Sequence, residues 1–141
     1  MTASADAQAA KVHRLQPLRV LLAGRDRRFI RVTSFLLARR GYDVAQTELR
    51  DTVAAAERHR ADVVLLETGG SLASAARKLS ALQALPAAPG VLIVFQGRER
   101  EGWAGIPCVE KWTSVEALVG AIEAASRNRL PPSTENESVR L

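Results

Sequence analysis

Ala61-Asp62-Val63-Val64-Leu65-Leu66-Glu67-Thr68-Gly69-Gly70 is the stretch whose reading decides the fold. Four consecutive aliphatic residues, two of them β-branched, run into one carboxylate and then a Gly-Gly break. That pattern predicts a strand buried on both faces, which delivers Glu67 to its C-terminal edge. In an open α/β sheet, this edge is where ligands and chemistry sit.

Working outward, residues 18–23 read as a first strand ended by Gly24, and Arg25-Asp26-Arg27-Arg28 leads into a helix to about Arg40. Phe29, Val32, Phe35 and Leu36 fall at helical spacing there, with Arg28, Arg31 and Arg39 towards another face. Gly41 is placed as a left-handed C-cap. Residues 42–46 form a short second strand, and a second helix runs from about Asp51, an N-cap candidate, to Arg60. After the central strand, a helix over 71–85 carries Leu72, Ala75, Ala76, Leu79 and Leu82 on one face, and Pro86 and Pro89 stop it. Residues 91–95, Val-Leu-Ile-Val-Phe, are a second buried strand. Residues 96–105 hold three glycines and four alternating charges, room for a helical turn or two at most. A short fifth strand covers about 106–110. Thr113 to Glu116 forms a T-x-x-E capping box, followed by the stripe Val115, Leu118, Val119 and Ile122.

Strands alternating with helices predict a five-stranded parallel sheet in the flavodoxin-like order 2-1-3-4-5, with a shortened or missing fourth helix. Residues 1–17 read as a flexible N-terminal arm, 18–127 as the domain, and 128–141 as a flexible C-terminal tail too short for an effector domain.

At 141 residues, 47% hydrophobic and 25% charged, the chain can build a core without staples, and its one cysteine excludes an internal disulfide. No run approaches the roughly 20 apolar residues of a membrane span, and no secretory signal is seen, so a cytoplasmic location is expected. The net charge of +5 comes from 17 Arg and 3 Lys against 15 acidic residues. Such a balance permits an acidic partner without establishing one. There is no Gly-rich phosphate loop, no metal-spaced Cys or His, and no nucleophile constellation around Ser71 or Cys108, while His13 and His59 stand without catalytic company. The chain is therefore expected not to be an enzyme, and to need no cofactor.

The R-V-L-L start at Arg19, the fourteen residues from Arg27 to Arg40 leading into Gly41-Tyr42-Asp43-Val44, the A-D-V-V-L-L-E phrase, and Lys111 before the final helix resemble, in order and spacing, the receiver domain of bacterial two-component response regulators. The resemblance implies a signalling module with a magnesium site and an aspartate phosphoacceptor. This sequence keeps the lysine, Lys111, and departs from that pattern at the other site positions. The acidic pair falls on Gly24 and Arg25, with Asp26 one place further on, and the phosphoacceptor falls on Glu67. The hydroxyl residue that ends the fourth strand is Phe95, or Gln96 in the neighbouring register. The switch aromatic is Cys108. The proline after the lysine is Trp112, before which a trans bond is expected. Magnesium wants near-octahedral oxygen ligation, which a glycine and a cation do not supply.

These departures lead to an expected pseudo-receiver: a stand-alone, phosphorylation-independent adaptor in which Glu67 is locked by Arg25, Lys111 or both. The other reading leaves Glu67 facing water beside a solvated Arg25. The expected partner is a protein, either a signalling protein or a second copy in a homodimer, met through Arg27, Arg28, Arg31, Trp103, Cys108 or Trp112. The alternative function is binding of an anion, nucleotide or nucleic acid by the arginine cluster at the start of the first helix.

Overall fold

A computed structural model of the chain describes residues 16–69, 71–96 and 105–127. The strands are β1 (Arg19–Gly24), β2 (Asp43–Glu48), β3 (Val63–Glu67), β4 (Gly90–Phe95) and β5 (Cys108–Glu110). The α-helices of the described residues are α1 (Arg27–Arg39), α2 (Thr52–His59), α3 (Leu72–Gln83) and α4 (Val115–Arg127). All four strand pairings are parallel, in the order β2-β1-β3-β4-β5, as the sequence predicts. The expected arm and tail, the segment in which a fourth receiver helix would stand, and Trp103 lie in large part or wholly outside the described residues.

Because successive strand side chains point to opposite faces, aliphatic runs without alternation must be buried twice. Val20, Leu22, Val63, Leu65, Leu92 and Val94 join one core layer, with Phe29, Ile30 and Leu37 of α1 and Leu118 and Ile122 of α4. Leu21, Ala23, Val64, Leu66, Val91 and Ile93 join the other, with Ala55 and Ala56 of α2 and Leu82 of α3. Nothing on β3 is exposed, in keeping with its place between β1 and β4 at the centre of the sheet.

Local signals set the helix ends. Gly41 adopts φ +94°; its N–H donates to Ala38 O, and the N–H of Tyr42 donates to Leu37 O, the paired bonds of a Schellman stop. The end of α2 repeats this geometry with Arg60 at φ 54°, a conformation that costs a side-chain-bearing residue about 1–2 kcal/mol.

Several local expectations are corrected. The buried face of α1 is Phe29, Ile30, Thr33, Ser34 and Leu37; Val32, Phe35 and Leu36 are exposed. Small residues Thr33 and Ser34 let the helix approach the sheet, and this phase wins over the bulkier stripe. Asp51 stands at the N-cap of α2 but its side chain makes no capping bond; Thr52 Oγ1 donates to Leu49 O within a preceding 3₁₀ turn. On α3, Leu72 and Ala76 are exposed, while Ala75 and Leu82 are buried. The cap of α4 is Ser114, whose Oγ accepts from Ala117 N at 3.1 Å, one residue after the predicted Thr113. Thr113 is used earlier, its N–H closing a turn to Glu110 O at 3.1 Å.

Candidate functional site

The parallel register aligns the C-terminal ends of the central strands. Gly24 stands opposite Glu67, and Glu67 opposite Val94. Phe95 ends β4 beside Glu110, and its carbonyl accepts from Lys111 N at 2.8 Å. Lys111 thus leaves the end of β5 already anchored to the neighbouring strand, two positions past the row that holds Glu67.

Glu67 is 3% exposed, so a carboxylate facing water is excluded. Its Oε1 accepts from the backbone N–H of Arg25 and of Asp26, each at 2.9 Å. Its Oε2 accepts from Gly69 N at 3.1 Å and lies 3.5 Å from Lys111 Nζ. Gly69, at φ +66°, makes the tight turn that aims its N–H back at the side chain; this is the work of the first glycine after the central strand. Donors alone surround the carboxylate, the complement an acceptor-only group requires.

The expected partnership with Arg25 is therefore corrected in kind. Arg25 contributes its backbone N–H, and its side chain is exposed. The cation that meets Glu67 is Lys111, whose side chain is 10% exposed and whose Nζ also lies 2.7 Å from Asp26 Oδ2. Asp26 Oδ1 accepts from Phe29 N at 3.1 Å and so caps α1. One aspartate joins a helix start to the lysine, and the lysine joins it to the central strand.

The charges shape each other. The Lys111 hydrogen bond, helped by the Phe29 N–H, holds the Asp26 carboxyl below its ordinary value against some desolvation. Burial works against the Lys111 ammonium, but the Asp26 hydrogen bond and the Glu67 and Asp26 charges outweigh it, and its pKa is raised.

Lys111 is also held by carbon. Its ammonium lies 5.6 Å from the Phe29 ring centroid, and Trp112 packs edge-on against Phe29 at 5.2 Å and 86°. None of the described peptide bonds is cis, so the Lys111-Trp112 bond is trans. Trp112 instead turns the chain by adopting φ 65° and remains 53% exposed. Cys108 is half-buried, and its thiol donates to Ile106 O at 3.3 Å.

Gly24 explains why this arrangement needs two unusual residues together. A Cβ built on Gly24 would lie 2.7 Å from Glu67 Oε1 and 2.9 Å from both its Cβ and its backbone O. The longer acid therefore folds back over the place where a first-strand side chain would stand, and glycine makes the space. The structure thus brings Gly24, Asp26, Glu67, Phe95 and Lys111 to one edge, with Arg25 joined through its backbone. Arg28 is exposed on α1, and Arg27 and Arg31 line an adjoining groove that Gly24 and Arg25 also border. The backbone N–H groups of Asp26 and Gly69 are the contributors that side-chain matching overlooked; only the Gly-Gly break hinted at one of them.

No protein-family model and no curated protein matches the sequence. The fold, however, is shared with solved receiver domains. A response regulator receiver domain protein from Bacillus halodurans C-125 superposes with a TM-score of 0.56 at 21% identity, over 78% of this chain and 97% of that one. FixJ-N gives 0.66 at 17% identity, covering 82% of this chain and 98% of its own. The chemotaxis protein CheY4 of Vibrio cholerae gives 0.57 at 20% identity, with coverage of 77% and 98%. The chain is a receiver-like domain by fold.

Proposed function

We propose that this domain is a receiver-fold signalling module that works without phosphorylation, as a docking platform for a protein partner. The observation that carries the reading is the closed set of bonds around Glu67: both its oxygens, and both oxygens of Asp26, already have donors within the domain. A magnesium ion needs oxygen ligands in near-octahedral array. Here the carboxylates are engaged, the neighbouring position is a glycine, and an ammonium stands 2.7 Å and 3.5 Å from the acids. These residues do not fit the ion, and a carboxylate wrapped by its own backbone is a poor nucleophile for phosphoryl transfer. An enzymatic role finds no support in the site.

A docking surface supports the second half of the reading. Val32, Phe35 and Leu36 lie exposed on α1, Phe35 at 61%, with the Arg39 guanidinium 5.7 Å from the Phe35 ring centroid. Among the described residues no helix is long and apolar enough to cross a membrane. Arg28 and Arg31 flank the strip, where charged rims set orientation and encounter rate.

The test is affinity capture of the tagged chain from its own cell lysate, with and without magnesium and acetyl phosphate, after nuclease treatment. A discrete protein retained equally under both conditions, lost by Phe35→Glu, is the expected result, together with no phosphoryl adduct in the intact mass. A phosphoryl adduct, or a partner bound only after phosphodonor treatment, overturns the proposal.

A further inference from the structure

A second feature lies beside the Glu67 site and is not used by it. A groove of about 960 Å³ opens across the C-terminal ends of β1 and β2, reaching α1 on one side and α2 and α3 on the other. Its wall carries Arg25, Arg27, Arg31, Arg50, Arg77 and Lys78, and one carboxylate, Glu48. Glu48 pairs with Arg27 at 3.8 Å and Arg50 at 3.2 Å. Among the described residues, the Arg25, Arg31, Arg77 and Lys78 side chains have no ion pair. Cations from separate elements converge on one space, and the local charge is far from balanced. Such a cleft focuses an anionic partner.

The chemistry of the anion follows from what else lines the space. Phosphate sites draw on open backbone N–H groups at helix starts, and bases are held by stacking on aromatic rings. No aromatic residue lines the groove, the N-termini of α1 and α3 are capped by Asp26 and Ser71, and the N–H groups of Arg25 and Asp26 are spent on Glu67; of these three helices only α2, where Asp51 makes no capping bond, keeps an uncapped start. Between the cations lie Ile30, Leu49, Val53 and Ala81, an aliphatic floor suited to Leu or Val side chains. The volume sits at the upper end of small-molecule sites, roughly 300–1,000 Å³, and suits a chain segment. We infer that this groove docks an acidic protein segment, with carboxylates on the arginine and lysine rim and aliphatic side chains on the floor. The inference rests on the protein-docking reading and names the chemistry of one partner surface.

The experiment selects a displayed random-peptide library on the full chain. Selected peptides are then measured by fluorescence anisotropy on the wild type, on Arg50→Glu/Arg77→Glu, and on Phe35→Glu, with inorganic triphosphate and a DNA duplex titrated in parallel. Both Arg50 and Arg77 are exposed, so the double variant is expected to fold with an unchanged circular dichroism spectrum. Enrichment of peptides combining Asp or Glu with Leu, Ile or Val is expected. Their binding should weaken at least about tenfold in the double variant and as salt rises through the physiological range. Peptides without acidic bias, peptides indifferent to Arg50→Glu/Arg77→Glu, or no enrichment at all overturn the inference. So does triphosphate or duplex binding that exceeds every selected peptide and is lost in the double variant. If a lysate partner is still captured, insensitive to the groove changes but lost by Phe35→Glu, the groove inference fails and the docking proposal stands. If phosphate compounds alone bind, both fail.

Discussion

Glu67→Ala is the sharpest test of the closed edge. The truncation removes the acceptor of the Asp26 and Gly69 N–H groups and the nearer of two acceptors of the Arg25 N–H, which keeps Glu67 O at 3.3 Å, together with one of the two carboxylates beside Lys111. Each buried donor left without an acceptor costs about 1–3 kcal/mol. The edge lies near enough to solvent for water to recover part of this, and Lys111 keeps Asp26. Breaking a buried pair by deleting one member costs about 3–5 kcal/mol, and that range is expected here. A loss of this size lowers the midpoint of thermal unfolding by roughly 10–25 °C for a domain of about this length. Urea unfolding followed by circular dichroism measures it, with Glu67→Gln as the variant that keeps the shape. Glutamine replaces one acceptor oxygen by a donor that must face an N–H or the ammonium, so about 2–4 kcal/mol should still be lost. The cycle with Lys111→Met should show a coupling of at least about 1 kcal/mol between the two side chains. If Glu67→Ala unfolds within about 0.5 kcal/mol of the wild type, the level of an ordinary surface change, the reasoning is refuted.

Gly24→Ala is expected to destabilise by about 1–3 kcal/mol, because the added carbon meets Glu67 backbone as well as side chain; the urea midpoint checks it. Stability against pH should show two flanks. Asp26 has its pKa lowered below 3.8, so its contribution is present above the unfolded value and is lost as pH falls through the folded one. Lys111 has its pKa raised above 10.5, so its contribution is full below that value and is lost as pH climbs through the folded one. Asp26→Asn should flatten the acid flank attributable to this pair, measured by urea midpoints across acid pH. Arg60→Gly should stabilise by about 0.5–1 kcal/mol, relieving the left-handed strain net of the added freedom of the unfolded chain. Ser34→Ala removes a buried hydroxyl with no hydrogen-bond partner among the described residues, and should raise stability by up to about 1 kcal/mol in calorimetry.

The order of strands was legible because Leu18, the two aliphatic runs and the Gly stops leave few ways to bury so much uninterrupted apolar surface. The phase of α1 was not. Its apolar residues cover more than one face, and the spacing of Phe29, Val32, Phe35 and Leu36 points to a different face from the buried one, on which Thr33 and Ser34 pack close to the sheet. At the site, matching by position points to Glu67 and leaves its cation open between Arg25, Lys111 or both; Lys111 is the one that meets it. Arg25 donates through its peptide, and peptide N–H groups are carried by every residue, so no residue pattern marks them. The final cap was misplaced for a related reason: left-handed Trp112 closes a turn from Glu110 to Thr113, which consumes a residue that a proline-led entry would leave for the helix.

The coupling of Gly24 to Glu67 bears on how such a site stays as it is. Replacing Gly24 with an aspartate puts a side chain within 2.7 Å of Glu67 Oε1 and adds a like charge. Shortening Glu67 to aspartate first draws the carboxylate away from the N–H groups of Arg25 and Asp26, which it now meets at 2.9 Å; Asp26 N–H loses its acceptor and Arg25 N–H keeps only Glu67 O at 3.3 Å. Each single step is therefore unfavourable from the present state, and only a joint change relieves the contact between the side chains. Even that change leaves the Glu67 Cβ and backbone oxygen 2.9 Å from the new Cβ, so β1 and β3 must part slightly. A Gly24→Asp/Glu67→Asp variant should accordingly be less stable than the wild type in the absence of metal and should recover stability when magnesium is added, whereas the wild type should be indifferent to the ion. Magnesium stabilisation of the wild type would show that the acids are open after all, and would return the domain to phosphoryl chemistry.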